Sequence, residues 1–182
     1  MTEYHLDLPL NEDAVKRLRV GDVLYVTGLL CTLRDRGYKM ILSGVKKAPF
    51  NLNDMGVYHC GPLMKKNKRG EWVPVSAGPT TSSRMSSMMK ELIEGYNVKM
   101  IIGKGVLDDS VSQVLKKNSA VYSVFTGGAG VLAASMMERV EGVYWLNELG
   151  MTEAVWVLRV KEFGPLIVAM DTHGGSIYRE RG

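Results

Sequence analysis

A chain of 182 residues, 46% hydrophobic, with 23 Lys+Arg against 19 Asp+Glu, fits one domain with a full core and a formal charge of +4. That charge is too small, and its basic residues too dispersed, for a nucleic-acid binder, but it suits an anionic small substrate. The two cysteines, Cys31 and Cys60, lie far apart and outside any CxxC, which excludes a disulfide scaffold, a zinc site and an iron–sulfur cluster held by this chain alone.

The same cysteine usage fits a reducing cytosol. The first residues, MTEYHLDLPLNEDAVKRL, show no signal pattern, and no apolar run is long enough to span a membrane. The expected setting is cytoplasmic, with neither membrane nor nucleic acid as a partner.

In chain order, residues 3–8 alternate as a short strand and Asn11 caps a short helix over 12–18. After a Gly21-Asp22 turn, residues 22–33, DVLYVTGLLCTL, form a long strand that ends at Arg34-Asp35-Arg36-Gly37. A short helix carrying residues 40–42 follows, then a loop over 48–55 and a strand over 56–60 running into Gly61-Pro62. The densest basic cluster, KKNKRG at 65–70, reads as a solvated polar loop, and residues 72–75 as a strand.

The stretch from 76 to 105, SAGPTTSSRMSSMMKELIEGYNVKMIIGKG, organises the rest. A Gly-Pro turn leads to Thr80, Thr81, Ser82 and Ser83, any of which can cap a helix start. Met85, Met88, Met89 and Leu92 recur at helical spacing as one apolar face, and Gly95 is a natural stop. Residues 98–102 form a short buried strand ending in Gly103-Lys104-Gly105. With the strand at 72–75, this makes a strand–helix–strand unit, normally a right-handed crossover between parallel strands. The helix start and the Gly-Lys-Gly turn then lie on the carboxyl edge of the sheet, where open α/β folds bind ligands. Thr80 and Arg84, four apart, share a helix face. Free N–H groups, the helix dipole, Arg84 and Lys104 would converge on an anion. Each residue also has a plain structural account: hydroxyl caps, a solvated arginine, a charged turn tip.

Further on, Asp108 or Ser110 caps a helix through Lys117, and residues 120–125 form a strand. Thr126-Gly127-Gly128-Ala129-Gly130 turns into a small-residue helix at 131–135; it lacks the dinucleotide-binding spacing and reads as close packing. Residues 140–145 and 154–163 are strands, Gly164-Pro165 a turn, and 166–170 an apolar strand. The tail from 171 is polar and expected to be mobile from about 172, with His173 at the surface. The order gives β-rich ends around a βαβα middle.

Four segments, GDVLYVTGLLCTLRDRGYK, VSAGPTTSSRM, IIGKG and VEGVYWLNELGMTEAVWVLRVKEFGPLIVAMD, resemble in order and spacing the β subunit, or C-terminal domain, of iron–sulfur-dependent hydro-lyases, the class I fumarate hydratase and L(+)-tartrate dehydratase family. The resemblance covers nearly the whole chain. It implies an α/β fold: a single swivelling β/β/α domain over 1–182 with a mixed sheet and flanking helices. It also implies a partner α subunit, in a heterotetramer, that holds a [4Fe–4S] cluster through its own cysteines. By motif, Arg34, Arg84 and Lys104 would bind substrate carboxylates, Thr80 would be the catalytic base, and this chain would bind no metal. The family's histidine after the Arg-Asp pair is Tyr38 here. The implied reaction is reversible dehydration of a 2-hydroxy dicarboxylate, malate to fumarate first and tartrate to oxaloacetate next. The alternative is a non-catalytic anion-binding or regulatory module that kept the pocket.

Overall fold

In a computed structural model of the chain, which describes residues 1–44 and 50–179, most of the apolar stretch at 22–33 becomes strand. The strands at the amino-terminal side are β1 (Glu3–Asp7), β2 (Val23–Thr32) and β3 (Gly56–Tyr58). A hairpin of β4 (Leu63–Lys66) and β5 (Trp72–Ser76) follows, then β6 (Met100–Gly103), β7 (Val121–Phe125), β8 (Met137–Tyr144) and β9 (Val155–Met170). The parallel neighbours run β1-β2-β3-β6-β7, and β9 returns antiparallel beside β7, β8 and β2. The β9–β2 pairing closes β2, β3, β6, β7 and β9 into a five-stranded, barrel-like mixed sheet, with β1 and β8 attached outside the ring.

The α/β class and the mixed sheet agree with the sequence reading. Among the described residues six helices accompany it: α1 (Glu12–Arg17), α2 (Asp35–Leu42), α3 (Ser86–Tyr96), α4 (Asp109–Lys117), α5 (Gly130–Ser135) and α6 (Leu146–Leu149). Asn11 caps α1 by accepting from the Ala14 N–H at 2.7 Å, and Asp108 caps α4 by accepting from Ser110 N–H at 3.0 Å. No helix among the described residues is long and apolar enough to cross a membrane.

The period of two along the strands divides the core. Leu30, Tyr58, Ile102 and Val121 point into the ring with Trp156, Leu158 and Phe163. Their neighbours Cys31, Val57, Ile101 and Tyr122 point outward onto Met89, Leu92, Val111 and Leu115 of α3 and α4. Strands buried on both faces read as continuous apolar runs rather than alternating ones.

Three local expectations are corrected. Gly164-Pro165 is not a turn between two strands, because β9 runs through it. Leu166 faces Leu24 and Phe163 faces Val26, so Gly164 and Pro165 together oppose Tyr25 as a bulge. The missing proline N–H falls at that irregularity, and a Cβ at Gly164 would lie 2.5 Å from the Leu24 carbonyl oxygen. Gly95 does not stop α3; the helix continues to Tyr96 and ends at Asn97 in the left-handed region, φ 54°.

The third correction matters most. β5 does not pair beside β6. It pairs antiparallel with β4 in a separate two-stranded sheet, so α3 is no crossover between parallel strands. Part of the basic cluster is therefore strand: Met64 is buried and only its neighbours are exposed, while Asn67 organises the turn by accepting from the N–H groups of Arg69 and Glu71. Trp72 anchors the hairpin edge-on against Trp156, ring centroids 5.3 Å apart, with the Lys66 ammonium 5.2 Å above the Trp72 ring.

Residues 171–179 pack back on the domain. The Asp171 carboxylate accepts from the N–H groups of Val20, His173 and Gly175, and the Tyr178 hydroxyl donates to the Gly105 carbonyl at 3.0 Å. The expected loop at 48–55 lies partly outside the described residues, and its described part contains a 3-10 turn, Leu52–Asp54.

Candidate functional site

Because β2, β3, β6 and β7 run parallel, their carboxyl ends share one edge. Arg34 follows β2, His59 follows β3, Lys104 follows β6 and the glycine turn at 126–130 follows β7. The loop from 77 to 82 lies across these ends. Ala77 N–H donates to Gly130 O at 2.9 Å, Pro79 bridges Cys60, and Thr80 N–H donates to His59 O at 2.7 Å. Thr81 pairs with Lys104, and Ser82 N–H donates to Lys104 O at 3.0 Å. The expected meeting of the Thr80 segment with the Gly-Lys-Gly turn is present, although the crossover that predicted it is not.

The glycine turn serves this loop by close packing, as the sequence suggested. A Cβ on Gly130 would sit 2.3 Å from Ser76 Oγ and 3.1 Å from Gly78 N.

Thr80 is not on a helix. It precedes a 3-10 turn, Ser83–Met85, which leads into α3, so Thr80 and Arg84 share no helical face. None of the four hydroxyls caps either helix start: neither N-cap makes a side-chain capping bond. Ser82 is drawn away because a buried imidazole nitrogen claims its hydroxyl, at 2.8 Å from His59 Nδ1.

Arg84 is half exposed, and its Nε–H donates to Asp35 Oδ1 and Oδ2 at 3.1 and 3.0 Å. Its terminal nitrogens make no hydrogen bond among the described residues. Arg34 occupies the N-cap position of α2, and its Nε stands 3.2 Å from Glu153 Oε1. That contact is too poorly aligned to be a hydrogen bond, so the buried Arg34 Nε has no partner among the described groups. The guanidinium lies against Gly61, where a Cβ would sit 2.5 Å from Nη1. Lys104 is partly buried and has no ion-pair partner among the described residues. Three cations thus face two carboxylates, and Asp35 and Glu153 orient the arginines while leaving donors uncommitted.

Beneath these groups lies a buried chain that the sequence reading missed. The Tyr38 hydroxyl is 2.7 Å from His59 Nε2, and both rings are fully buried. Tyr38, where the resemblance expects histidine, therefore meets an imidazole supplied by the end of β3. Burial pushes His59 down to about 3, with the Asp35 charge opposing and Arg84 adding to the fall. Burial also pushes the Tyr38 hydroxyl up. The available signal was a histidine closing the apolar run VYHC.

None of Arg34, Thr80, Arg84 and Lys104 lines either of two concavities, of ≈ 570 and ≈ 340 Å³, one between the β4–β5 turn and β8, the other beside Pro9 and Lys99. No group of three or more His, Cys, Asp or Glu able to hold a metal occurs among the described residues. Cys31 and Cys60 are buried, and burial pushes both thiols up, Cys31 to about 12, so neither suits a thiolate ligand.

Residues 1–181 match the family described as Fumarase C-terminus. A Methanocaldococcus jannaschii protein provisionally named L(+)-tartrate dehydratase subunit beta is 46% identical over 174 residues, covering 94% of this chain and 89% of that protein. The L(+)-tartrate dehydratase subunit beta of Escherichia coli is 43% identical over 175 residues, covering 96% of this chain and 86% of its own. A Geobacillus stearothermophilus protein provisionally named fumarate hydratase class I is 38% identical over 175 residues, which are 96% of this chain but 33% of that protein. The chain belongs to the fumarase C-terminal family, as a hydro-lyase β subunit of the tartrate dehydratase and class I fumarate hydratase type.

Proposed function

We propose that this chain supplies the substrate-binding half of a cytoplasmic hydro-lyase completed by an α subunit, in a heterotetramer, that reversibly dehydrates a 2-hydroxy dicarboxylate. The observation that carries this reading is the convergence of Arg34, Arg84, Lys104 and the Thr80 loop on one sheet edge. The swivelling β/β/α arrangement implied by the resemblance would let that edge face a partner domain.

Within the pocket the arginine forks would grip the substrate carboxylates, and Lys104 would act as a point charge. Thr80, held by its N–H on the His59 carbonyl, would take the proton from the carbon beside the hydroxyl-bearing one. A hydroxyl is a weak base, and the nearby cations would favour its deprotonated form. The same cations would stabilise the negative charge that develops on the substrate. The residues of this chain do not fit a [4Fe–4S] cluster, which belongs to the α subunit in this reading and would supply Lewis acidity toward the departing hydroxyl.

Sequence resemblance placed malate first. The relatives named for tartrate are the more similar, at 46% and 43% against 38%, and favour tartrate to oxaloacetate, with malate to fumarate as the competitor. The test is to purify the chain together with an α subunit of this family and assay tartrate, malate and fumarate anaerobically. Turnover of one of them supports the reading; dicarboxylate binding without turnover in a fully loaded complex supports the regulatory module.

A further inference from the structure

Of three histidines in the chain, His59 is fully buried while His5 and His173 are exposed. It stands one residue beyond β3 and serves the loop twice. Its carbonyl holds the Thr80 N–H at 2.7 Å and its Nδ1 lies 2.8 Å from Ser82 Oγ, while Ser82 N–H is committed to Lys104 O. Its Nε2 lies 2.7 Å from the Tyr38 hydroxyl, four residues beyond Arg34.

A neutral imidazole has one N–H and one lone pair, so the two ring contacts must run in opposite senses. A phenol is the stronger donor and an aliphatic hydroxyl the stronger acceptor, so Tyr38 donates to Nε2. Nδ1 therefore carries the ring proton and donates to Ser82 Oγ. The order runs Tyr38 to His59 to Ser82, and the Ser82 N–H on the Lys104 carbonyl joins the arginine-bearing helix to the Lys104 turn.

We propose that Tyr38, His59 and Ser82 form a one-way hydrogen-bond chain that fixes the Thr80 loop and the Lys104 turn relative to α2, which makes His59 a positioning residue. The hydrogen-bond order stands on the buried geometry; only its catalytic consequence rests on the hydro-lyase reading. The chain gives Tyr38 a purpose, because a phenol is a donor that holds Nε2 in the accepting role. Gly103 keeps the space clear: a Cβ there would lie 2.0 Å from Ser82 Oγ and 3.1 Å from His59 Nδ1.

The test is nitrogen-15 NMR of the full chain with labelled histidine. The expected result is a neutral His59 ring with a protonated Nδ1, unchanged between about pH 7 and pH 5, where an exposed histidine titrates. In Tyr38→Phe the Nε2 signal moves toward a free imine nitrogen, and in Ser82→Ala the ring N–H exchanges at least ~10-fold faster. A protonated Nε2, a charged ring at neutral pH, or ring signals untouched by Tyr38→Phe overturns the chain. If Tyr38→Phe does not fold, the wild-type tautomer and Ser82→Ala still decide. In an active complex with the α subunit, Tyr38→Phe should lower kcat by about 10-fold or more while leaving KM within a few-fold, since misplacement costs rate rather than ground-state binding. Unchanged kcat there overturns the positioning role. A wild-type complex with no hydro-lyase turnover sinks the proposed function instead, and leaves the NMR result to judge the chain.

Discussion

Arg84 and Asp35, 49 residues apart in sequence, are joined by an Nε–H shared between both carboxylate oxygens at 3.1 and 3.0 Å. The pair ties the loop after β5 to the first turn of α2, and the terminal guanidinium nitrogens make no hydrogen bond among the described residues. Arg84→Ala should raise KM for the dicarboxylate by about 10-fold or more, because a charge-assisted pair is lost. Arg84→Lys should recover only part, since the planar fork is gone. Asp35→Asn should give a smaller rise, as the arginine remains but is no longer oriented. Steady-state kinetics of the assembled enzyme check the order; wild-type kinetics in Arg84→Ala would remove that residue from the pocket.

Thr80 is held through its backbone, so its side chain can be varied with little risk to the fold. Thr80→Ser should keep much of the activity, while Thr80→Val, which preserves shape and loses the hydroxyl, should lose about 100-fold or more in kcat, the usual scale for proton-transfer groups. Circular dichroism should be unchanged in both. A valine variant with normal turnover would reduce Thr80 to packing.

Gly103 offers a test from the backbone side. Gly103→Ala places a methyl group 2.0 Å from Ser82 Oγ, and the nearby His59 Nδ1 and Cβ belong to a side chain that is itself buried. Overpacking costs about 1–3 kcal/mol. The expected result is a lower urea midpoint together with loss of the His59 ring N–H signal. A variant as stable as wild type, with that signal intact, would mean that the loop shifts freely and that Ser82 is not clamped.

Much of the fold was legible from local pattern. The strands near 22–33, 98–102 and 120–125 and the caps at Asn11 and Asp108 depend on neighbours in sequence. The errors came where a distant partner decided. Gly164-Pro165 carries turn residues, but β2 pairs across it and keeps the strand going. The β4 residues look like a charged loop until Trp72 is seen packed on Trp156. The predicted cations do gather on one edge, yet their carboxylate partners were invisible, since Glu153 is remote in sequence and only the fold sets it beside Arg34. His59 was overlooked because nothing nearby in sequence marks its partners, Tyr38 and Ser82, as lying on either side of it.

His59 also predicts a pH dependence. Its folded pKa, about 3, lies below the ordinary 6.5, so the unfolded chain binds the extra proton first. Stability should therefore be present above about 6.5 and fall as the pH drops toward 3, with a slope of up to about 1.4 kcal/mol per pH unit from this group. His59→Gln should be less stable at neutral pH but should lose less on going to pH 5. Carboxylates held low in the fold, such as Glu12, Asp108 and Glu141, act in both proteins and cancel in the comparison. Urea midpoints at the two pH values measure it, and parallel losses in wild type and variant would show that His59 is not buried neutral.

The last prediction is that the chain alone folds, binds dicarboxylates weakly and turns none of them over. The seven-stranded sheet pairs within the chain and both core clusters are built from its own residues, so the chain is expected to fold without a partner. Its cations on the sheet edge, however, line neither of the two concavities and stay partly exposed, and charges facing water attract a ligand weakly. A surface laid over that edge would exclude water and strengthen the same charges without moving them. The α subunit should therefore dock around residues 34–38, 78–84 and 103–105. Arginine or glutamate substitutions at Val106, the exposed apolar residue beside the Lys104 turn, should weaken assembly while leaving the isolated chain as stable as before. Analytical ultracentrifugation of the mixed subunits, paired with anaerobic assays on tartrate, malate and fumarate, checks both halves. Turnover by the isolated chain after anaerobic reconstitution with iron and sulfide would sink the split site. Assembly indifferent to charges at Val106 would move the docking face elsewhere.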